Sequence, residues 1–121
     1  MSTITTHVLD TVMGKPATGI AVRLERMLGG WSGTGAERTG SVEWVEIATG
    51  VTDADGRSGE LKRDAAQGIY RLTFATGEYM ERLGRSTIYP EIAITFHCSG
   101  EGHYHLPLLL SDNSYTTYRG S

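Results

Sequence analysis

The run His103-Tyr104-His105-Leu106-Pro107-Leu108-Leu109-Leu110 decides how the chain folds. Tyr104, Leu106, Leu108 and Leu110 recur at every second position, which places all four on one face of an extended strand. The same geometry sends His103, His105, Pro107 and Leu109 to the opposite face. This two-residue period recurs along the chain. Ile20, Val22 and Leu24 form one apolar row, Tyr70, Leu72 and Phe74 a second, and Ile92, Ile94 and Phe96 a third. Residues 42–49 read as a strand with Val45 and Ile47 on one side. In residues 5–10 the alternation puts Val8 in the core and leaves His7 and Leu9 outward. Near the end, Tyr115 and Thr117 share one face, while Thr116 and Tyr118 share the other.

Turn chemistry separates these runs. Met13-Gly14-Lys15-Pro16 divides the first strand from the second, and Asp53-Ala54-Asp55-Gly56 suits a tight reversal with positive φ at Gly56. Many short strands with Gly-rich turns read as an all-β sandwich. Glu78-Tyr79-Met80-Glu81-Arg82-Leu83, closed by Gly84, is the one good helix candidate, about two turns long. Residues 29–41, rich in Gly, Ser and Thr, read as a long exposed loop with Trp31 as its anchor. No repeat or linker divides the chain, so its 121 residues are expected to form a single domain, 1–121.

Composition excludes several function classes. A net charge of -3 and the absence of any Lys/Arg block argue against nucleic acid as a partner. The single cysteine, Cys98, ends a strand-like run and reads as buried. One thiol cannot form an internal disulfide, which fits a reducing compartment. The N-terminal residues show no basic segment followed by an apolar stretch, and no apolar run reaches membrane-spanning length. A cytoplasmic protein that binds no membrane is the expectation.

The outward faces carry the chemistry. His7, His105 and Tyr118 meet on one sheet surface if their strands are neighbours. His103 and His105, at alternate positions, also raise a metal reading with His7 as third ligand. That reading stays open, but no Cys pair or His-Glu motif supports it, and no metal or other cofactor is expected. A P-loop, a dinucleotide-type glycine fingerprint and a Gly-x-Ser-x-Gly elbow are all missing from the sequence.

Four segments, in order, resemble the transthyretin-like 5-hydroxyisourate hydrolase family. They are Ile4-Thr5-Thr6-His7-Val8-Leu9-Asp10-Thr11 with Gly14-Lys15-Pro16-Ala17; Gly50-Val51-Thr52-Asp53-Ala54-Asp55-Gly56-Arg57; Tyr89-Pro90-Glu91-Ile92 leading to residues 103–111; and Tyr115-Thr116-Thr117-Tyr118-Arg119-Gly120-Ser121. The resemblance implies an eight-stranded transthyretin-like β-sandwich, two four-stranded sheets with one short helix. It also implies a homotetramer whose active sites lie at subunit interfaces. The implied reaction is hydrolysis of 5-hydroxyisourate to 2-oxo-4-hydroxy-4-carboxy-5-ureidoimidazoline, a step of urate breakdown.

Carried over residue by residue, the resemblance makes His7, Arg57, His105 and Ser121 the catalytic candidates. His7, Arg57, Tyr118, Arg119 and Gly120 are the substrate-binding candidates. The two imidazoles would manage water and protons, and the Arg57 donor fork would orient a carbonyl edge. Ser121 would bring its hydroxyl and the terminal carboxylate. Two departures affect loops: Ser111-Asp112-Asn113-Ser114-Tyr115 stands where the family often has Ser-Pro-Tyr-Gly-Tyr, and the 29–41 stretch is longer than usual. A non-catalytic carrier of small molecules, like transthyretin itself, is the competing function. It lacks the histidine, arginine and tetrapeptide set found in this chain.

Overall fold

The computed structural model describes residues 1–29 and 42–120. The expected loop over 29–41 with its Trp31 anchor, apart from Gly29, and the expected role of Ser121 therefore lie outside the described residues.

Alternation sets the architecture. The first strand, β1 (Ser2–Asp10), buries Ser2, Ile4, Thr6, Val8 and Asp10 and half-exposes every residue between them. On one edge it runs parallel to β8 (Gly102–Leu110), with Thr5 opposite His105 and His7 opposite Pro107. On its other edge lie two antiparallel partners, the short β2 (Lys15–Pro16) and β5 (Arg57–Ala65). A three-residue strand, β9 (Tyr115–Thr117), pairs with the far side of β8. The second sheet has the order β4-β3-β6-β7, with β3 (Ala21–Leu28), β4 (Glu43–Val51), β6 (Gly68–Phe74) and β7 (Ile92–Cys98). One hydrophobic cluster fills the space between the sheets. Ile4, Val8, Ile20, Leu24, Leu72, Phe74 and Leu108 are fully buried within it, each worth about 1.5–3 kcal/mol of transfer free energy.

Among the described residues the fold is the expected all-β sandwich with one short helix, α1 (Thr76–Arg82), in sheets of five and four strands. The strand beyond eight is the two-residue β2, which shares an edge of β1 with β5. The helix starts two residues before Glu78 and buries Thr76, Tyr79 and Met80. Cys98 ends β7 and is buried. Val45 and Ile47 do not share an environment, because a register shift between Leu24 and Glu25 interrupts the β3–β4 ladder. Ile47 packs on the core, whereas Val45 is exposed. Strand β5 follows no two-residue period. Only Leu61 and Ala65 are buried, and its pairing with β1 shifts register three times. Among the described residues no helix is long and apolar enough to cross a membrane.

An ionic staple closes the end of β1. The Asp10 side chain is fully buried and accepts hydrogen bonds from the Tyr79 hydroxyl at 2.7 Å and from the Val12 and Met13 amides at 3.1 Å. Arg85 bridges Asp10 to Asp112, and the Asn113 side-chain oxygen accepts the Ile88 amide. The 111–114 segment, where the family pattern is broken, is thereby tied to the helix end of the sandwich. Burial alone would raise the Asp10 carboxyl. The hydrogen bonds from Arg85, Tyr79 and Met13 outweigh it and hold the group below its ordinary value. Burial together with Asp10 pushes the Tyr79 phenol up to about 12.

Because the folded-state pKa of Asp10 is depressed, its stabilisation is present above about pH 4 and disappears as pH falls through the lowered value. Asp10→Ala leaves Arg85 short of its buried partner and should cost about 3 kcal/mol or more in urea unfolding at pH 7. The gap between wild type and variant should narrow as the pH is taken into the acid range. A difference under about 1 kcal/mol at pH 7 would show that the ion pair contributes no more than an exposed one.

Candidate active site on the outer face of the five-stranded sheet

Pairing across β5, β1, β8 and the C-terminal tail arranges the outward side chains in two rows. In one row Arg57 stands opposite His7, and His7 opposite Pro107. In the other, Glu60 stands opposite Thr5, Thr5 opposite His105, and His105 opposite Gly120. Rows two residues apart along a strand are about 6.6 Å apart, so a small planar molecule can touch both.

The Asp53–Gly56 turn brings Arg57 into its row. Asp53 accepts the amides of Asp55 and Arg57, and the Gly56 carbonyl accepts the amide of Val8. Gly56 has φ 79°, and a side chain there would run into the Val8 carbonyl oxygen and the His7 ring. The turn thus docks flat on β1 because that residue has no Cβ.

Pro107 shapes the tail. The register that sets Leu108 opposite Thr117 and His105 opposite Gly120 puts Tyr118 opposite Pro107. Pro107 has no N–H to give to the ladder. Its carbonyl instead accepts the Thr117 hydroxyl at 2.8 Å, and regular pairing stops at Thr117. It resumes once, where the Gly120 amide donates to the His105 carbonyl at 2.7 Å. Tyr118 is left on the outer face, in line with the His7 row and 53% exposed. A β-carbon on Gly120 would lie 2.8 Å from Cδ2 of His105, so the tail backbone packs against the imidazole edge only because the residue is glycine.

Arg57, Thr5, Gly59, Glu60, His103 and His105 line a shallow depression of ≈ 330 Å³. The Thr5 hydroxyl lies 2.8 Å from Nε2 of His103 and 2.8 Å from Nδ1 of His105. His105 is half-buried, and its pKa is lowered from 6.5 by desolvation, then by the nearby charges of Arg57, His103 and His7. The ring is therefore neutral at pH 7 and able to accept a proton. A depression of ≈ 350 Å³ on the other sheet is lined by Arg23, Glu46, Thr73 and Glu91 but holds no histidine. Among the described residues no group of three His, Cys, Asp or Glu side chains converges on a metal position.

Of the residues singled out from sequence, Arg57 and His105 line the depression, Gly120 packs on the His105 ring, His7 stands beside Arg57 in the adjacent row, and Tyr118 is exposed beyond the end of β9. Arg119 stands apart from them. Its guanidinium lies 3.9 Å from the centroid of the Tyr104 ring and donates to the His103 carbonyl at 3.2 Å, so it anchors the tail within the chain. Thr5 and Glu60 were not anticipated. A threonine in a strand is ordinary, and only the in-register pairing of β1 with β8 shows that Thr5 falls beside both imidazoles.

Residues 4–120 match the model of the HIUase/Transthyretin family. The chain is 43% identical over 121 residues to the 5-hydroxyisourate hydrolase of Salmonella dublin, covering 98% of this chain and 80% of the relative. The structure of Klebsiella pneumoniae 5-hydroxyisourate hydrolase superposes with a TM-score of 0.79 at 34% identity, covering 100% of this chain and 94% of the other. Sea bream transthyretin in complex with thyroxine gives a TM-score of 0.81 at 33% identity, over 97% and 93% of the two chains.

The charge environment of His105 can be read directly. Arg57→Gln removes a positive neighbour, so the His105 imidazolium should become easier to form. Its titration midpoint, followed by NMR of the ring protons, should start below 6.5 in the wild type and rise in the variant. A midpoint that stays put or falls would separate Arg57 from His105.

Proposed function

The chain belongs to the HIUase/Transthyretin family, and from that premise we propose that its hydrolytic reaction runs on the outer face of β1 and β8. The activity is hydrolysis of 5-hydroxyisourate, as in the relatives of near full-length similarity. The observation that carries this reading is the meeting of His7, Arg57 and His105 in two adjacent rows of one sheet face.

Opening the six-membered ring at its amide-type C–N bond requires an activated water, charge stabilisation at the carbonyl oxygen and a proton for the leaving nitrogen. A neutral His105 accepts a proton from the water as its oxygen attacks the carbonyl carbon. Arg57 directs its donor fork at the carbonyl edge and stabilises the developing oxyanion. His7, one row away, orients the substrate and shares the handling of protons. Tyr118 supplies a flat surface beside Pro107, and Arg119 and Gly120 keep the tail against β8. The reading gives Ser121, at the end of that tail, the role of orienting water or substrate.

A depression this shallow leaves one side of a bound ring uncovered. We therefore place the complete site between subunits of a homotetramer, with a second copy of the sheet face closing it. The lone buried Cys98 fits the reducing cytoplasm in which the reading places the enzyme. The likeness to sea bream transthyretin gives ligand carriage a structural basis, but fold alone does not distinguish the two activities. The side chains lining the face favour hydrolysis.

The test is the loss of freshly made 5-hydroxyisourate, followed spectroscopically. His7→Ala and His105→Ala should each slow turnover by about 10²–10⁴-fold. Arg57→Ala should slow it by about 10²–10³-fold, and all three variants should remain folded oligomers. Wild-type-like rates in all three would overturn the assignment, and binding of an aromatic ligand without turnover would favour a carrier.

A further inference from the structure

The Thr5 side chain sits between the two imidazoles of the β8 strand. The Thr5 hydroxyl contacts His103 Nε2 and His105 Nδ1 at the same distance, 2.8 Å. A hydroxyl has one proton and two acceptor lone pairs, so it can donate to only one of these nitrogens. If both contacts are hydrogen bonds, the other ring nitrogen must donate to Thr5. The hydroxyl therefore links the tautomers of the two imidazoles. The far edge of the His105 ring is closed by Gly120, which leaves no room for a β-carbon next to Cδ2. Held at Nδ1 and at Cδ2, the ring keeps Nε2 as the nitrogen with no hydrogen-bond partner among the described residues.

We propose that Thr5 is a positioning residue that accepts the Nδ1–H of His105 and donates to Nε2 of His103, leaving His105 Nε2 bare to take a proton from the attacking water. This rests on the reading of His105 as proton acceptor given above. As the water oxygen bonds to the carbonyl carbon, its proton moves to Nε2. The resulting imidazolium keeps its Nδ1–H donated to Thr5. When the C–N bond breaks, the Nε2 proton passes to the leaving nitrogen, and His105 returns to its starting tautomer with no net gain or loss of protons. The reverse orientation, with Thr5 donating to Nδ1, would put the proton on Nε2 and remove the base.

His103 is the other half of the device, because the preferred orientation requires its Nε2 to be unprotonated. The charged and titratable groups around the pair are Arg57 and Glu60 on β5 and His7 on β1, with Arg119 in the tail bonded to the His103 carbonyl. Arg57 among them disfavours a further proton on His105, which burial already opposes. Among the described residues Thr5 meets no backbone group through its hydroxyl, unlike Thr6 on the buried face, which donates to the Leu106 carbonyl at 2.6 Å. A purely structural role for Thr5 would leave the ring tautomer unchanged on its removal.

Thr5→Val keeps the β-branched shape and removes the hydroxyl, while Thr5→Ser keeps the hydroxyl. Thr5→Val should lower kcat at least about tenfold, within the range ascribed to general acid–base catalysis, with a smaller change in KM. Thr5→Ser should recover most of the rate. Nitrogen-15 NMR of the oligomer at pH 7 should show His105 protonated on Nδ1 in the wild type and shifted toward the Nε2–H form in Thr5→Val. An Nε2–H wild-type ring, or an unchanged kcat in Thr5→Val, overturns the proposal. Should Thr5→Val fail to fold, the wild-type spectrum still decides. His105→Ala, assayed alongside, separates the two levels. If it turns over normally, the base assignment fails, whereas an inactive His105→Ala beside a fully active Thr5→Val sinks the Thr5 role alone.

Discussion

The parallel pairing of β1 with β8 is the constraint on which the rest of the structure depends. Both strands lie in the interior of the five-stranded sheet, in register from Ser2 opposite Gly102 to Asp10 opposite Leu110. Because side chains alternate strictly, one pairing serves two purposes. Its inner residues, Ile4 and Val8 against Tyr104, Leu106, Leu108 and Leu110, form one wall of the core. Its outer residues, Thr5 and His7 against His103, His105 and Pro107, form the floor of the proposed site. A slip of one residue would exchange the two sets, so the hydrophobic core that stabilises the fold also sets the positions of the imidazoles.

The remaining site elements are brought to this floor by local devices. The Gly56 turn delivers Arg57 to one edge, and Pro107 interrupts the ladder on the other so that the tail crosses the histidine face. The Asp10–Arg85–Asp112 staple holds the segment from which that tail departs. Arg119, resting on Tyr104, and Gly120, resting on His105, press the tail against β8. The tail therefore contributes a wall beside the imidazoles, and its arginine secures that wall within the chain.

Much of this was legible in the sequence because alternation is a local signal. The apolar rows at 20–24, 70–74 and 104–110, the outward phase of His7, His105 and Tyr118, and the helix around Tyr79 could all be read from neighbouring residues. Strand β5 could not. With only Leu61 and Ala65 buried and its pairing repeatedly shifted, it shows no two-residue period. Val45 was misplaced by a register shift that sequence spacing does not reveal. Thr5 and the intrachain contacts of Arg119 were not legible for a different reason: their partners lie far away in sequence. Thr5 gains its meaning from residues 98 and 100 positions along the chain, and Arg119 from a ring in the adjacent strand.

The proposed chemistry requires the substrate ring to lie against the β1–β8 face. A crystal structure of the oligomer with urate, a stable planar relative of 5-hydroxyisourate, addresses this directly. The account predicts the ring over the Thr5–His105 row, with a carbonyl oxygen within about 2.6–3.2 Å of the Arg57 guanidinium and His105 Nε2 facing the ring directly or through one water. Urate seated on the Arg23–Glu46 face of the other sheet, with the β1–β8 face empty, would contradict it.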